Sequence, residues 1–152
     1  MDTYRQRSDR IYDVLLVEPE PDSIGGLVRS FEATALTNNI SVVATGTEAF
    51  DFINRRGNYA DSPQPDLVLL NLDLPDTSGI ELLDELKDHT EFRHIPVLVL
   101  TESDETADVN QAYERFANAY LKKPETADEF DQLARAIEEF WLKLAHLAPK
   151  RT

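Results

Sequence analysis

Five short apolar, β-branched runs recur along the chain, at residues 12–17, 40–44, 66–71, 96–101 and 119–122. Their inner members, such as Val14, Leu15, Leu16 and Val17 or Val97, Leu98, Val99 and Leu100, are continuous rather than alternating. A strand that is apolar on both faces is buried on both, which is the habit of a parallel sheet.

Between the runs lie amphipathic stretches. Ile24, Leu27, Val28, Phe31 and Ala35 stand at helical spacing after Asp22 and Ser23, which have the chemistry of caps. Phe50 and Ile53 mark a second helix, Ile80, Leu83 and Leu86 a third, and Val109, Ala112 and Phe116 a fourth. Phe130, Leu133, Ala134, Ile137, Trp141 and Leu144 mark the fifth, which would run from about Asp128 to His146 over roughly 28 Å. Alternating strand and helix with right-handed crossovers predict an α/β, doubly wound (βα)5 sandwich of flavodoxin-like type, its five parallel strands ordered 2-1-3-4-5. Ligands in such folds bind beyond the carboxyl ends of the strands, so residues 18–20, 71–76, 101–103 and 122–124 are the place to look for function.

The 152 residues suit one domain. We assign residues 1–10 to an N-terminal extension, 11–147 to the domain and 148–152 to a tail, with 56–65 a turn-rich connection. The absence of cysteine excludes disulfides, thiolate metal sites and thiol nucleophiles. A net charge of -14 repels phosphate backbones and anionic membranes, so neither nucleic acid nor membrane is expected as a partner. Apolar runs stop far short of the ~20 residues that span a bilayer, and the opening MDTYRQRSDR carries no hydrophobic signal segment, which together predict a cytoplasmic protein. Ten Arg against five Lys, with the acid excess, is the composition of a halophilic protein whose self-repulsion is screened by salt.

His89, His94 and His146 are far apart and away from the strand ends, and read as structural or surface residues. Gly25 and Gly26 lie inside the first helix without any phosphate-loop arrangement, which excludes dinucleotide and P-loop chemistry.

Four stretches stand at the predicted strand ends: LLVEPEPDS, PDLVLLNLDLPDTSGIELL, IPVLVLTESD and AYLKKP. In this order and spacing, over residues 11 to 146, they resemble the response regulator receiver domain of two-component systems. In that family an acidic pair after the first strand and an aspartate ending the third hold Mg2+, and the aspartate takes a phosphoryl group from a phosphohistidine. A Thr or Ser and a Lys before Pro grip the phosphoryl oxygens, and an aromatic residue on the fifth strand reports occupancy.

The resemblance makes Thr101 the switch hydroxyl, Tyr120 the aromatic switch, Lys123 before Pro124 the lysine of the grip, and Glu18 the first acid. Two acids are missing. Pro19 stands where the second carboxylate belongs, and Asn71, four residues before Pro75, stands at the phosphoacceptor position; Asp73 falls past the strand end. A carboxamide delocalises its nitrogen lone pair and is no nucleophile toward phosphorus. That leaves Glu18 alone as a candidate ligand in an acidic pocket of Glu18, Glu20, Asp73 and Glu102, unless Glu20 or Asp73 bends in, and Mg2+ binding is expected to be weak. Glu102 places a further carboxylate where the family prefers a small residue; it would repel an acyl or histidyl phosphate, and could pair with Lys123 in place of the missing negative charge.

Plainer readings stand beside these. Thr101 could cap a helix starting near Asp104, Tyr120 could be core packing, Glu20 reads as a solvated loop acid stiffened by Pro19 and Pro21, and Asp73 as loop capping or exposed. The leading expectation is a stand-alone atypical receiver, not an enzyme, that works by contact with a histidine kinase or downstream regulator and is not phosphorylated at Asn71. The rival is a regulator phosphorylated with Mg2+ on Asp73 or Glu20; a third reading is a purely structural partner domain. Phe140, Trp141 and Leu147 suggest homodimer pairing through the last two helices and last strand, against packing on their own domain.

Overall fold

The computed structural model describes residues 11–34, 38–101 and 119–139, with backbone alone at 38, 119 and 120. Five strands, β1 (Tyr12–Val17), β2 (Asn38–Val43), β3 (Leu67–Asn71), β4 (Val97–Thr101) and β5 (Ala119–Lys122), form one sheet in the order β2-β1-β3-β4-β5. Every pairing is parallel, with Val14 against Leu67, Val68 against Val97 and Leu98 against Ala119. This is the expected flavodoxin-like order.

Four helices lie among the described residues: α1 (Pro21–Glu32), α2 (Gly46–Asn54), α3 (Gly79–Asp88) and α4 (Ala127–Ile137). They cover both faces. Leu15, Val17, Val68, Leu70, Val97 and Val99 pack with Ala49, Phe52 and Ile53 of α2 and Leu82, Leu83 and Leu86 of α3. Val14, Leu16, Leu67, Leu69, Leu98 and Leu100 pack with Leu27 and Phe31 of α1 and Ala134 and Ile137 of α4. The unbroken apolar runs are thus the two faces of central strands, each side chain removing its apolar area from water at about 25 cal/mol per Å2.

Helix starts are set by local chemistry. Thr45 and Thr126 accept from the backbone N–H groups of Glu48 and Glu129, and Ser78 from that of Ile80. The expected caps Asp22 and Ser23 fall inside α1 instead; Glu20 is its cap residue, and Pro21 opens the helix because its fixed φ suits the first turn and it needs no donor there. The predicted helix marked by Val109, Ala112 and Phe116, the stretch beyond residue 139 with Phe140, Trp141, Leu144, His146 and Leu147, and the extension 1–10 lie outside the described residues.

Two glycines permit close approach. A Cβ on Gly26 would stand 2.7 Å from the Phe130 ring, so glycine lets α4 settle onto α1, where Ser30 Oγ also donates to Asp131 Oδ1 at 2.7 Å. A Cβ on Gly79 would stand 2.7 Å from the Asn71 carbonyl oxygen, so glycine brings the start of α3 against the end of β3.

Candidate functional site

Parallel strands deliver their carboxyl ends to one edge of the sheet, and Glu18, Asn71, Thr101 and Lys123 all fall there. All four are buried, Glu18 completely. Glu18 follows β1 and is held by its backbone N–H on Val43 O at 3.0 Å; Lys123 follows β5 and donates its backbone N–H to Thr101 O at 2.8 Å. Pro124, lacking a donor, then ends the ladder.

Asn71 bonds in two directions. Its Nδ2 donates to Glu18 Oε2 at 2.8 Å, and its Oδ1 accepts from the backbone N–H of Asp73 at 2.8 Å. Only this amide orientation works, because a carboxylate can only accept and a backbone N–H can only donate. An aspartate in the same pose would set two carboxylate oxygens against each other.

Lys123 completes the group. Its Nζ lies 2.9 Å from Glu18 Oε1 and 2.9 Å from Glu20 Oε2. Lys123 is 5% exposed and Glu18 0%, whereas Glu20 is 51% exposed, so the ammonium is enclosed while one of its carboxylates stays in solvent. Burial alone would lower the Lys123 pKa, but hydrogen bonds and charge from Glu18 and Glu20 outweigh it and hold the ammonium above the ordinary lysine value. The backbone N–H of Glu20 also donates to Glu18 Oε2 at 3.2 Å, folding the loop back over the pocket.

Glu20 is solvent-exposed, as the plainer reading has it, and is also an ion-pair partner of Lys123, on a loop between Pro19 and Pro21 that returns its side chain to the pocket. Asp73 is exposed, in agreement with its reading as a loop acid, and its backbone pairs with that of Ser78. Glu102, and with it the suggested pair with Lys123, lies outside the described residues, as does the Tyr120 side chain. His89 and His94 are exposed, as expected.

Sequence reasoning included Asp76 in the stretch 71–76 but gave it no role. Its carboxylate accepts from the backbone N–H groups of Gly46 and Thr47 at 2.8 and 2.9 Å and from Thr47 Oγ1 at 2.7 Å, fastening the loop after β3 to the start of α2. These bonds, led by the Thr47 hydroxyl, lower its pKa to about 2. The available signal was an acid in the turn-forming PDTSG, but nothing local shows that its target lies thirty residues back.

The model of the response regulator receiver domain family matches residues 14–135. Response regulator Rcp1 of Synechocystis sp. is 33% identical over 134 residues, covering 88% of this chain and 91% of that protein. The probable methanogenesis regulatory protein FilR2 of Methanothrix harundinacea is 34% identical over 129 residues, covering 85% and 83%. Among solved structures, the phosphorylated cyanobacterial phytochrome response regulator RcpA superposes with a TM-score of 0.87 at 31% identity, over 92% of this chain and 100% of that one. The Mn2+-bound form of Rcp1 superposes with a TM-score of 0.84 at 32% identity, over 91% and 99%. The chain belongs to the response regulator receiver domain family.

It is accordingly a receiver-domain response regulator of two-component signalling, a family of generally non-enzymatic modules that interact with histidine kinases or downstream regulators. No helix among the described residues is long and apolar enough to cross a membrane.

The family implies a divalent cation, and the donors at the strand ends, among the described residues, fit one poorly. Mg2+ demands near-octahedral oxygen ligands, commonly one or two carboxylates with waters and phosphate oxygens. Glu18 Oε2 is hydrogen-bonded, its Oε1 is ion-paired with Lys123 but lacks a hydrogen bond, Pro19 has no side-chain oxygen, and the Asn71 oxygen faces a backbone N–H. Among the described residues no group of three or more His, Cys, Asp or Glu could hold a metal.

Proposed function

We propose that this chain is an atypical receiver that signals by protein contact, without phosphorylation at Asn71. The observation that carries the reading is the 2.8 Å hydrogen bond from Asn71 Nδ2 to Glu18 Oε2. In a phosphorylatable site this position carries a negative nucleophile that must be balanced by a cation; here it is a neutral donor that satisfies the neighbouring acid. Thr101 and Lys123 keep the positions of the phosphoryl grip, but the lysine is committed to Glu18 and Glu20.

The partner is a histidine kinase or a downstream regulator. RcpA is a phytochrome response regulator, and the response regulator RPA3017 of R. palustris, with a TM-score of 0.85 at 27% identity, belongs to red light signalling, so phytochrome-type kinases are the first class to test. Pairing with a second copy through the last helices and β5 remains part of this proposal.

Intact-mass spectrometry after incubation with acetyl phosphate or beryllofluoride and Mg2+ at high salt, read beside a size-exclusion profile, is the test. An unchanged mass and unchanged assembly are expected. A stoichiometric adduct would overturn the reading and direct the search for the acceptor to Asp73 and Glu20.

A further inference from the structure

Charge balance at the strand ends carries a more specific conclusion, which rests on the reading just given. The family arrangement described above sets three carboxylates around a divalent ion, with a lysine beside them. This chain keeps the lysine and Glu18, replaces one acid by Pro19 and another by Asn71, and brings in Glu20 from the next position of the loop. Among the described residues, two carboxylates and one ammonium then leave a single negative charge, shared with Glu20, which is half in solvent.

We propose that Lys123 is the resident cation of this pocket: its ammonium, held at 2.9 Å by both Glu18 and Glu20, takes the place of the divalent ion and keeps the site closed to it. The geometry is that of a filled site. Glu18 sets Oε1 2.9 Å from the Lys123 ammonium as an ion pair without a hydrogen bond of its own, and gives Oε2 to Asn71 and the Glu20 backbone. A divalent ion could enter only by expelling an ammonium that is 5% exposed, and a buried charge parted from its partners is costly. Pro19 and Pro21 limit the loop to the pose in which Glu20 closes over the lysine. Asn71 finishes the closure from the other side, since an amide donor, unlike a carboxylate, adds no charge for a second cation to balance.

The direct test is the lysine side-chain 15N–1H spectrum of the full chain, with its five lysines, together with Mn2+ broadening of the Asn71 side-chain amide. In the wild type the Lys123 ammonium signal, assigned through Lys123→Arg, should persist near neutral pH, where free lysine ammonium signals exchange away. Millimolar Mg2+ should leave it in place, and Mn2+ should not broaden the Asn71 amide selectively. In Lys123→Met the same amide should broaden saturably, with Mn2+ affinity raised roughly tenfold or more by loss of the competing charge.

Selective broadening in the wild type, or a Lys123 signal lost on adding Mg2+, overturns the proposal. Equal insensitivity of folded Lys123→Met also overturns it, by showing that the missing acids alone exclude the ion. Should Lys123→Met fail to fold, the wild-type spectra still decide. These outcomes are separate from the phosphorylation test: an adduct on Asp73 with an undisturbed Lys123 would defeat the functional reading alone, and displacement of Lys123 without an adduct would defeat this inference alone.

Discussion

Asp76 Oδ1 accepts a hydrogen bond from the backbone N–H of Gly46 at 2.8 Å, so the loop that follows β3 caps a helix to which it does not belong. The neighbouring Thr77 side chain fills the space where a Cβ on Gly46 would stand, which fixes the approach sterically as well. The loop beside Asn71 is thereby tied at both ends, to Asn71 through the Asp73 N–H and to α2 through Asp76.

Removing that tie has a measurable cost. Asp76→Ala should lower stability at neutral pH by about 1 kcal/mol, the usual value of a helix cap. The Asp76 pKa is lowered from 3.8 to about 2, so its contribution is complete above the unfolded value and is lost as pH falls from 3.8 toward 2. Urea midpoints of wild type and variant should therefore converge at about pH 2; a constant gap would contradict the assignment.

Asn71→Asp tests the other tie. It replaces a donor 2.8 Å from Glu18 Oε2 by a second carboxylate. Like charges raise the pKa of one member of the pair, so the native state holds an extra proton and stability falls as pH rises through the carboxylate range. A loss of about 1–3 kcal/mol at neutral pH, recovered on acidification, is expected in denaturant titrations. Phosphorylation of this variant by acetyl phosphate should remain poor because Pro19 and Glu102 are still present, and robust labelling would show that one residue accounts for the whole departure.

Lys87 gives a pH effect of opposite sign. Its Nζ donates to the carbonyls of Arg93 and Ile95 at 3.1 and 2.7 Å, and burial lowers its pKa to about 8. Between about pH 8 and the ordinary lysine value the unfolded chain holds the proton that the native chain releases, so this residue makes stability rise with pH. The difference in unfolding free energy between wild type and Lys87→Met should shift in that direction across the window. A flat difference would show that Lys87 titrates normally.

The adjacent glycines of α1 should respond oppositely to the same substitution. A Cβ on Gly25 meets only the flexible Arg29 side chain, at 3.3 Å, whereas one on Gly26 meets the Phe130 ring. Gly25→Ala should raise stability by about 0.5–1 kcal/mol through helix propensity, and Gly26→Ala should lower it by about 1–3 kcal/mol through overpacking. Thermal unfolding of the two variants side by side distinguishes them.

The sheet was legible in the sequence because central parallel strands need unbroken apolar runs, and β1 and β5 begin and end where those runs do. The first helix start was not, since Asp22 and Ser23 have cap chemistry but Pro21 settles the boundary earlier. The pairs Thr45 with Glu48 and Thr126 with Glu129 carried a capping signature three residues apart that would have fixed two other helix starts. At the site, motif spacing located Asn71, Thr101 and Lys123, because the fold brings strand ends together wherever the chain alternates in this way. It did not reveal that Glu20 turns back onto Lys123 or that Asp76 reaches Gly46. Both depend on the path of a loop between elements distant in sequence, which no local pattern encodes.

The bond between Ser30 and Asp131 joins residues 101 positions apart, and on the same face Ala134 and Ile137 cover Leu16, Leu27 and Phe31. A ribosome releases α1 long before α4, so in the interval that apolar face lacks its cover. The nascent chain stays open there, to chaperones or to its neighbours on the polysome, until α4 emerges and closes it.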